Sequence, residues 1–147
     1  MEQRTPPSLT ALTPYLLSKT GKEARSRLAA SLAEEGLRLW HMAVLAALAD
    51  FGPHAQRDLA ARVSVDASDI VKVVDDLAAA GYAGRARDAA DRRRVNVAIT
   101  PEGRAALERL RRKAAVVQEE VLAPLDAAEC EQLHALLSRV YAALETA

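Results

Sequence analysis

At 147 residues the chain is long enough for one domain with a sizeable core, and half of its residues are hydrophobic while only 3% are aromatic. The formal net charge is zero, which argues against a protein that coats nucleic acid by bulk charge. No apolar run approaches the ~18 residues of a membrane span, residues 1–7 lack the basic-then-apolar order of a secretory signal, and a lone Cys130 excludes an internal disulfide; a soluble, cytoplasmic protein is expected. Alanine dominates the apolar residues and is the best helix former, so a mostly α-helical chain is expected, with a core of Leu, Val and close Ala contacts.

Residues 1–12 read as a loose N-terminus. Thr13-Pro14 has the order of an N-cap and a first helical position, and a helix from there to about 35 puts Leu17, Ala24, Leu28 and Leu32 on one side, with Gly36 as its stop. A second helix, about 39–49, is apolar nearly all round and therefore buried. A short helix over about 55–62 is followed by a turn at Ser64-Val65-Asp66. Asp66 can cap a helix over about 67–80, whose Ile70, Val73, Val74 and Leu77 recur at helical spacing as a core-facing stripe. Its other face carries Ser68, Asp69, Val71, Lys72, Asp75 and Asp76, and Gly81 ends it. Two short helices joined by a tight turn form a helix–turn–helix.

Two strands follow, about 82–87 and 94–99; in the second, Val95, Val97 and Ile99 alternate with Asn96 and Ala98. Thr100-Pro101-Glu102-Gly103 starts a helix running to about 122, with Leu107, Leu110, Ala114, Val117 and Val121 spaced 3, 4, 3, 4 as in paired helices. Pro124 breaks it. The last helix, about 126–145, carries Leu133, Leu136, Leu137, Val140, Tyr141 and Leu144 as one stripe. A lone helix–turn–helix with a hairpin wing needs no such terminal helices, so pairing between two subunits is expected to bury their apolar faces, the alternative being packing within one chain.

Charge is uneven along the chain. Residues 82–113 hold ten Arg or Lys against four acids, and residues 119–147 hold six acids against one Arg. One part of the molecule can face phosphate while the other stays away from it. The hairpin turn, Asp91-Arg92-Arg93-Arg94, concentrates the positive charge, and a DNA-binding role is expected of it.

Four patches carry a resemblance: residues 36–45, residues 56–61, residues 77–82, and the hairpin with its helix start, residues 91–103. Across roughly residues 14–145 the chain resembles the MarR-type transcriptional regulators; the specific match is the Asp-x-Arg hairpin tip at Asp91 and Arg93, with the Thr-x-x-Gly helix start at the expected distance. The resemblance implies a mostly α winged helix–turn–helix within a single domain over residues 1–147. A DNA-binding lobe would span residues 37–100, and dimerisation helices residues 14–35 and 101–145. It further implies a homodimer on double-stranded DNA with a near-palindromic operator, a repressor of nearby genes released by a small aromatic or anionic effector.

On that frame Arg93 enters a narrow minor groove, where a flat, permanently charged guanidinium finds the deepest negative potential. Asp91 fixes its direction, Arg92 and Arg94 line the phosphates, which position without specifying, and Arg87 counts with them among the wing's DNA-binding residues. In the recognition helix, Ala67 and Ser68 lie at the entering end. Asp69 can accept from a cytosine amino group, Val71 can touch a thymine methyl, and Lys72 stands where the family often has Arg. Asp75 and Asp76 read as a solvated acidic face that weakens non-specific binding.

Tyr15, Trp40 and His41 are candidate effector-pocket residues, against the simpler reading of Trp40 as a core anchor and His41 as a capping or core polar group. Cys130 matches no peroxide-sensing position and reads as a packed or idle thiol. His54 and Asp58, four apart, are too few ligands for a metal site, so no metal or cofactor is expected. No phosphate-binding Gly loop or nucleophile motif supports an enzyme. A winged-helix scaffold for protein interactions, with little or no DNA binding, is the alternative that the acidic recognition face keeps open.

Overall fold

A computed structural model describes residues 4–147. Seven helices and three strands follow in the order α1 (Pro7–Thr10), α2 (Thr13–Ala33), α3 (Leu39–Phe51), β1 (His54–Ala55), α4 (Gln56–Arg62), α5 (Ala67–Ala79), β2 (Ala83–Arg87), β3 (Val95–Ile99), α6 (Pro101–Val121) and α7 (Ala127–Glu145). The expected elements are all present, with ends shifted by one or two residues.

Two elements were not expected. Residues 7–10 are not loose: Pro7 pre-sets the first helical φ, and the Thr10 hydroxyl donates to the Pro7 carbonyl at 3.3 Å, closing one turn. Residues 54–55 form an edge strand, so the antiparallel sheet has three strands in the order β1-β3-β2. Two residues are too few to show a period of two. The cap of α2 also differs from expectation: extended Leu12 takes the N-cap position, and no side chain caps the helix.

Three helices end in the same way. After α2, the Leu37 amide donates to the Leu32 carbonyl and the Gly36 amide to Ala33. Val65 and Ser64 do the same after α4, and Tyr82 and Gly81 after α5. These are Schellman closures, which demand a left-handed residue: Gly36 at φ 71°, Gly81 at φ 80° and, without a glycine's freedom, Ser64 at φ 56°. Each closure folds an apolar residue (Leu37, Val65, Tyr82) back toward the helix it has left, so the chain reverses without exposing the core.

The core lies between α3, α5, the end of α2, the start of α6 and the inner face of the sheet. Leu32, Leu45, Leu48, Leu59, Leu77 and Leu110 are wholly buried, each contributing roughly 1.5–3 kcal/mol relative to exposure. The α6 seam serves this single-chain core: Leu107 and Leu110 join it, and α6 packs along α2 and α3. Thr100 sets the start of α6. Its hydroxyl accepts from the Gly103 amide at 3.0 Å and donates to the Gly81 carbonyl at 2.6 Å, tying the end of α5 to the start of α6.

The two ends of the chain differ from this centre. Leu9, Leu12, Leu16 and Leu17 are exposed, as are Leu136, Leu137, Val140, Tyr141 and Leu144, and α7 buries no residue. Burial along the α2 stripe rises from exposed Leu17 through half-buried Ala24 and Leu28 to wholly buried Leu32. Among the described residues, no helix is long and apolar enough to cross a membrane.

Candidate nucleic-acid interface

The wing is the β2–β3 hairpin, in register from Ala83 opposite Ile99 to Arg87 opposite Val95. Its seven-residue turn is organised by Asp88. One carboxylate oxygen accepts from the Ala90 amide at 2.8 Å and the Asp91 amide at 3.3 Å, and the other from the Asn96 amide group at 3.3 Å. These bonds, the Ala90 amide foremost, hold the Asp88 carboxyl below the ordinary carboxylate range. Asp88 and Asn96 were not among the expected site residues. An Asp whose side chain bonds the amide two residues on is an ordinary turn device, and that was the available signal.

At the tip, Asp91 accepts from both the Arg93 amide (3.0 Å) and the Arg93 Nε (3.3 Å), while the Arg93 side chain remains 92% exposed. The carboxylate therefore steers the guanidinium without covering it. Arg92 is exposed and lends its carbonyl to Arg87, whose Nη1 donates to it at 2.7 Å. Arg94 turns back to the lobe and donates to Asp58 Oδ2 of α4 at 2.7 Å. Arg92 and Arg93 thus have the freest guanidinium groups of the turn, while Arg87 and Arg94 brace it.

The outer face of α5 is divided. Ala67, Ser68, Asp69, Val71 and Lys72 are exposed, and the side chains of Ser68, Asp69 and Lys72 make no hydrogen bond or ion pair among the described residues. Asp75 and Asp76 are held. Arg85 Nη1 donates to Asp75 Oδ1 at 2.6 Å, and His41 Nε2 lies 3.0 Å from Asp76 Oδ2. The acidic face expected from the sequence is therefore largely paired within the chain. What remains open at the entering end is one carboxylate, one hydroxyl, one isopropyl group and one ammonium.

Tyr15, Trp40 and His41 do not form one cluster. Tyr15 is half-buried on α2, with the Lys19 ammonium 5.5 Å from its ring. Trp40 is 47% exposed at the start of α3. His41 is buried, and its Nδ1 accepts the Arg38 amide at 2.8 Å, capping α3. Among the described residues, no ring pairing or hydrogen bond joins the three, and a cleft of about 270 Å³ at the α6–α7 elbow is lined by other residues, Cys130 among them. No group of three or more His, Cys, Asp or Glu among the described residues is placed to hold a metal.

Comparison with known proteins gives a consistent result. The sequence matches the MarR family over residues 35–94, which spans α3, the helix–turn–helix and the wing tip. A search of curated proteins finds no match. A probable transcriptional regulator from Pseudomonas aeruginosa is 32% identical, aligning 90% of this chain with 98% of its own at a TM-score of 0.75. The PcaV transcriptional regulator from Streptomyces coelicolor is 30% identical, with 92% and 99% aligned and a TM-score of 0.72. BpsR from Bordetella bronchiseptica, whose DNA binding is regulated by 6-hydroxynicotinic acid, is 25% identical, with 93% and 98% aligned and a TM-score of 0.74. An exposed arginine at the wing tip, a helix–turn–helix beside it and near-full-length likeness to a regulator together place the chain: it belongs to the MarR family of winged-helix transcription regulators and is not an enzyme.

Proposed function

We propose that this chain is a homodimeric repressor of the cytoplasm that occupies a near-palindromic operator and leaves it when a small aromatic acid binds. The observation that carries the DNA reading is Arg93, exposed at the wing tip and aimed by Asp91. Arg93 enters the minor groove, Arg92 contacts phosphate, and Arg87 and Arg94 hold the turn that presents them. Ser68, Asp69, Val71 and Lys72 face the major groove. Two such lobes read half-sites about ten base pairs apart.

The dimer reading rests on the exposed leucines at both chain ends, which water would otherwise cover at a cost of roughly 25 cal/mol per Å². The interface takes in α1, the first half of α2, and α7. The effector reading rests on relatives such as BpsR; Tyr15 and Trp40 are the side chains free to meet an aromatic ring, and His41 is committed to its cap. The scaffold alternative drew on the acidic face of α5, and that support shrinks to Asp69 once Asp75 and Asp76 are paired.

The test is fluorescence anisotropy on DNA upstream of the gene, across a salt series. Tight binding with a steep negative salt slope, lost on scrambled DNA, is expected. A folded dimer that treats both DNAs alike overturns the sequence-specific reading.

A further inference from the structure

Two consecutive carboxylates on α5 are held from different sides by different elements. Successive helical residues point about 100° apart, so Asp75 reaches the sheet while Asp76 reaches α3. On the sheet side, Arg85 pairs in register with Val97, which is wholly buried, so it springs from the inward face of β2. Its side chain keeps 30% of its surface exposed, and the guanidinium meets acceptors on the rest. It finds three: Asp75 Oδ1 at 2.6 Å, Gln56 Oε1 at 3.0 Å and the Val71 carbonyl at 3.2 Å. One side chain thus joins β2, the first residue of α4, and both a side chain and the backbone of α5.

On the other side His41 is buried and its role is fixed by the backbone. Nδ1 accepts the Arg38 amide, so Nε2 carries the hydrogen and donates it to Asp76 Oδ2. The ring cannot turn without losing the α3 cap.

We propose that Asp75 and Asp76 are positioning residues: Arg85 and His41 grip them to fix the rotation of α5, and with it the presentation of Ser68, Asp69, Val71 and Lys72 to DNA. This rests on the DNA-binding reading of α5. It reverses the plain electrostatic expectation, in which acids on a recognition helix only repel phosphate.

The two ideas predict opposite signs. If the acids merely repel, Asp76→Ala and Asp76→Asn both raise affinity for any DNA. If Asp76 positions, Asp76→Ala lowers operator affinity by about tenfold, the scale of one hydrogen bond to a charged group. Affinity for scrambled DNA does not fall. Asp76→Asn, whose carbonyl oxygen still accepts from His41, keeps most of the operator affinity. Asp75→Ala and Arg85→Gln behave like Asp76→Ala. Both Asp side chains are about half exposed and Arg85 is partly exposed, so the variants are expected to fold, which circular dichroism checks. A merely structural loss would instead lower operator and scrambled affinity together through the active fraction. Equal or raised operator affinity in Asp76→Ala overturns the proposal.

Hydrogen exchange of α5 supplies the readout that needs no DNA. Faster exchange in α5 of Asp76→Ala, with α2 and α6 unchanged and Asp76→Asn like the wild type, is expected. Unchanged α5 exchange refutes the grip. If wild-type protein binds no DNA while α5 loosens as stated, the DNA reading fails and the grip stands.

Discussion

Charge at the wing does three separate jobs, and substitution separates them. Among the described residues the Arg93 side chain bonds to Asp91 alone and is nearly fully exposed, so Arg93→Ala is expected to leave the fold intact and to cut operator affinity by about ten- to a hundredfold, the range of one good groove contact. Arg94 braces the wing through Asp58; Asp58→Ala is expected to loosen the turn, read as faster exchange at residues 88–94, while the recognition helix keeps its protection. Asp88 is the pH-sensitive member. Its folded carboxyl lies below the ordinary range, so the stability it contributes is full above the unfolded value and fades as the pH falls through the folded one. The wing turn is therefore expected to open below about pH 4, seen as loss of protection at the Ala90 and Asp91 amides. Protection that persists in Asp88→Ala would contradict this.

At the scale of elements, the junction of α5, β2 and α6 leaves no room for a side chain at Gly103. A Cβ on Gly103 would overlap the Tyr82 carbonyl and come within 2.8 Å of the Ile99 side chain, and the carbonyl cannot swing away because it accepts the Thr100 amide at 3.1 Å. Gly103→Ala is expected to lower the melting temperature by several degrees, although alanine is the better helix former. Thr100→Ala is expected to cost about 1 kcal/mol through the lost cap. Both residues were legible in the sequence as a helix start, because capping chemistry is local. So were the buried stripe of α5 and the alternation of β3, which depend on spacing alone. The pairings of Arg85 with Asp75, Arg94 with Asp58, and His41 with Asp76 were not legible, since they span 10, 36 and 35 residues. A basic run reads as a phosphate contact until the fold supplies its own acids. One part of this was within reach: strand alternation puts Arg85 on the face of Ala83 and Val97, which is not the face of a free arginine.

The whole molecule divides into a dense lobe and two apolar ends. Leu110 is wholly buried in the lobe, whereas Leu136 and Val140 are more than half exposed on α7. Both helices carry similar apolar stripes, and spacing alone did not distinguish these roles, because a stripe says that a face is covered and not by what. Leu110→Asp is expected to unfold the chain. Leu136→Asp with Val140→Asp is expected to leave a folded lobe and to shift the protein from dimer to monomer in sedimentation, with operator affinity lost because two half-sites are no longer engaged together. A wild-type protein that sediments as a folded monomer would remove the dimer from the account.

The most direct measurement is operator binding by anisotropy, wild type beside Arg93→Ala, on upstream and scrambled DNA across a salt series. Tight, salt-sensitive binding of the upstream DNA that Arg93→Ala weakens by about ten- to a hundredfold is the predicted result. Wild-type and Arg93→Ala proteins binding that DNA equally well would contradict the role of the wing, and with it the central claim.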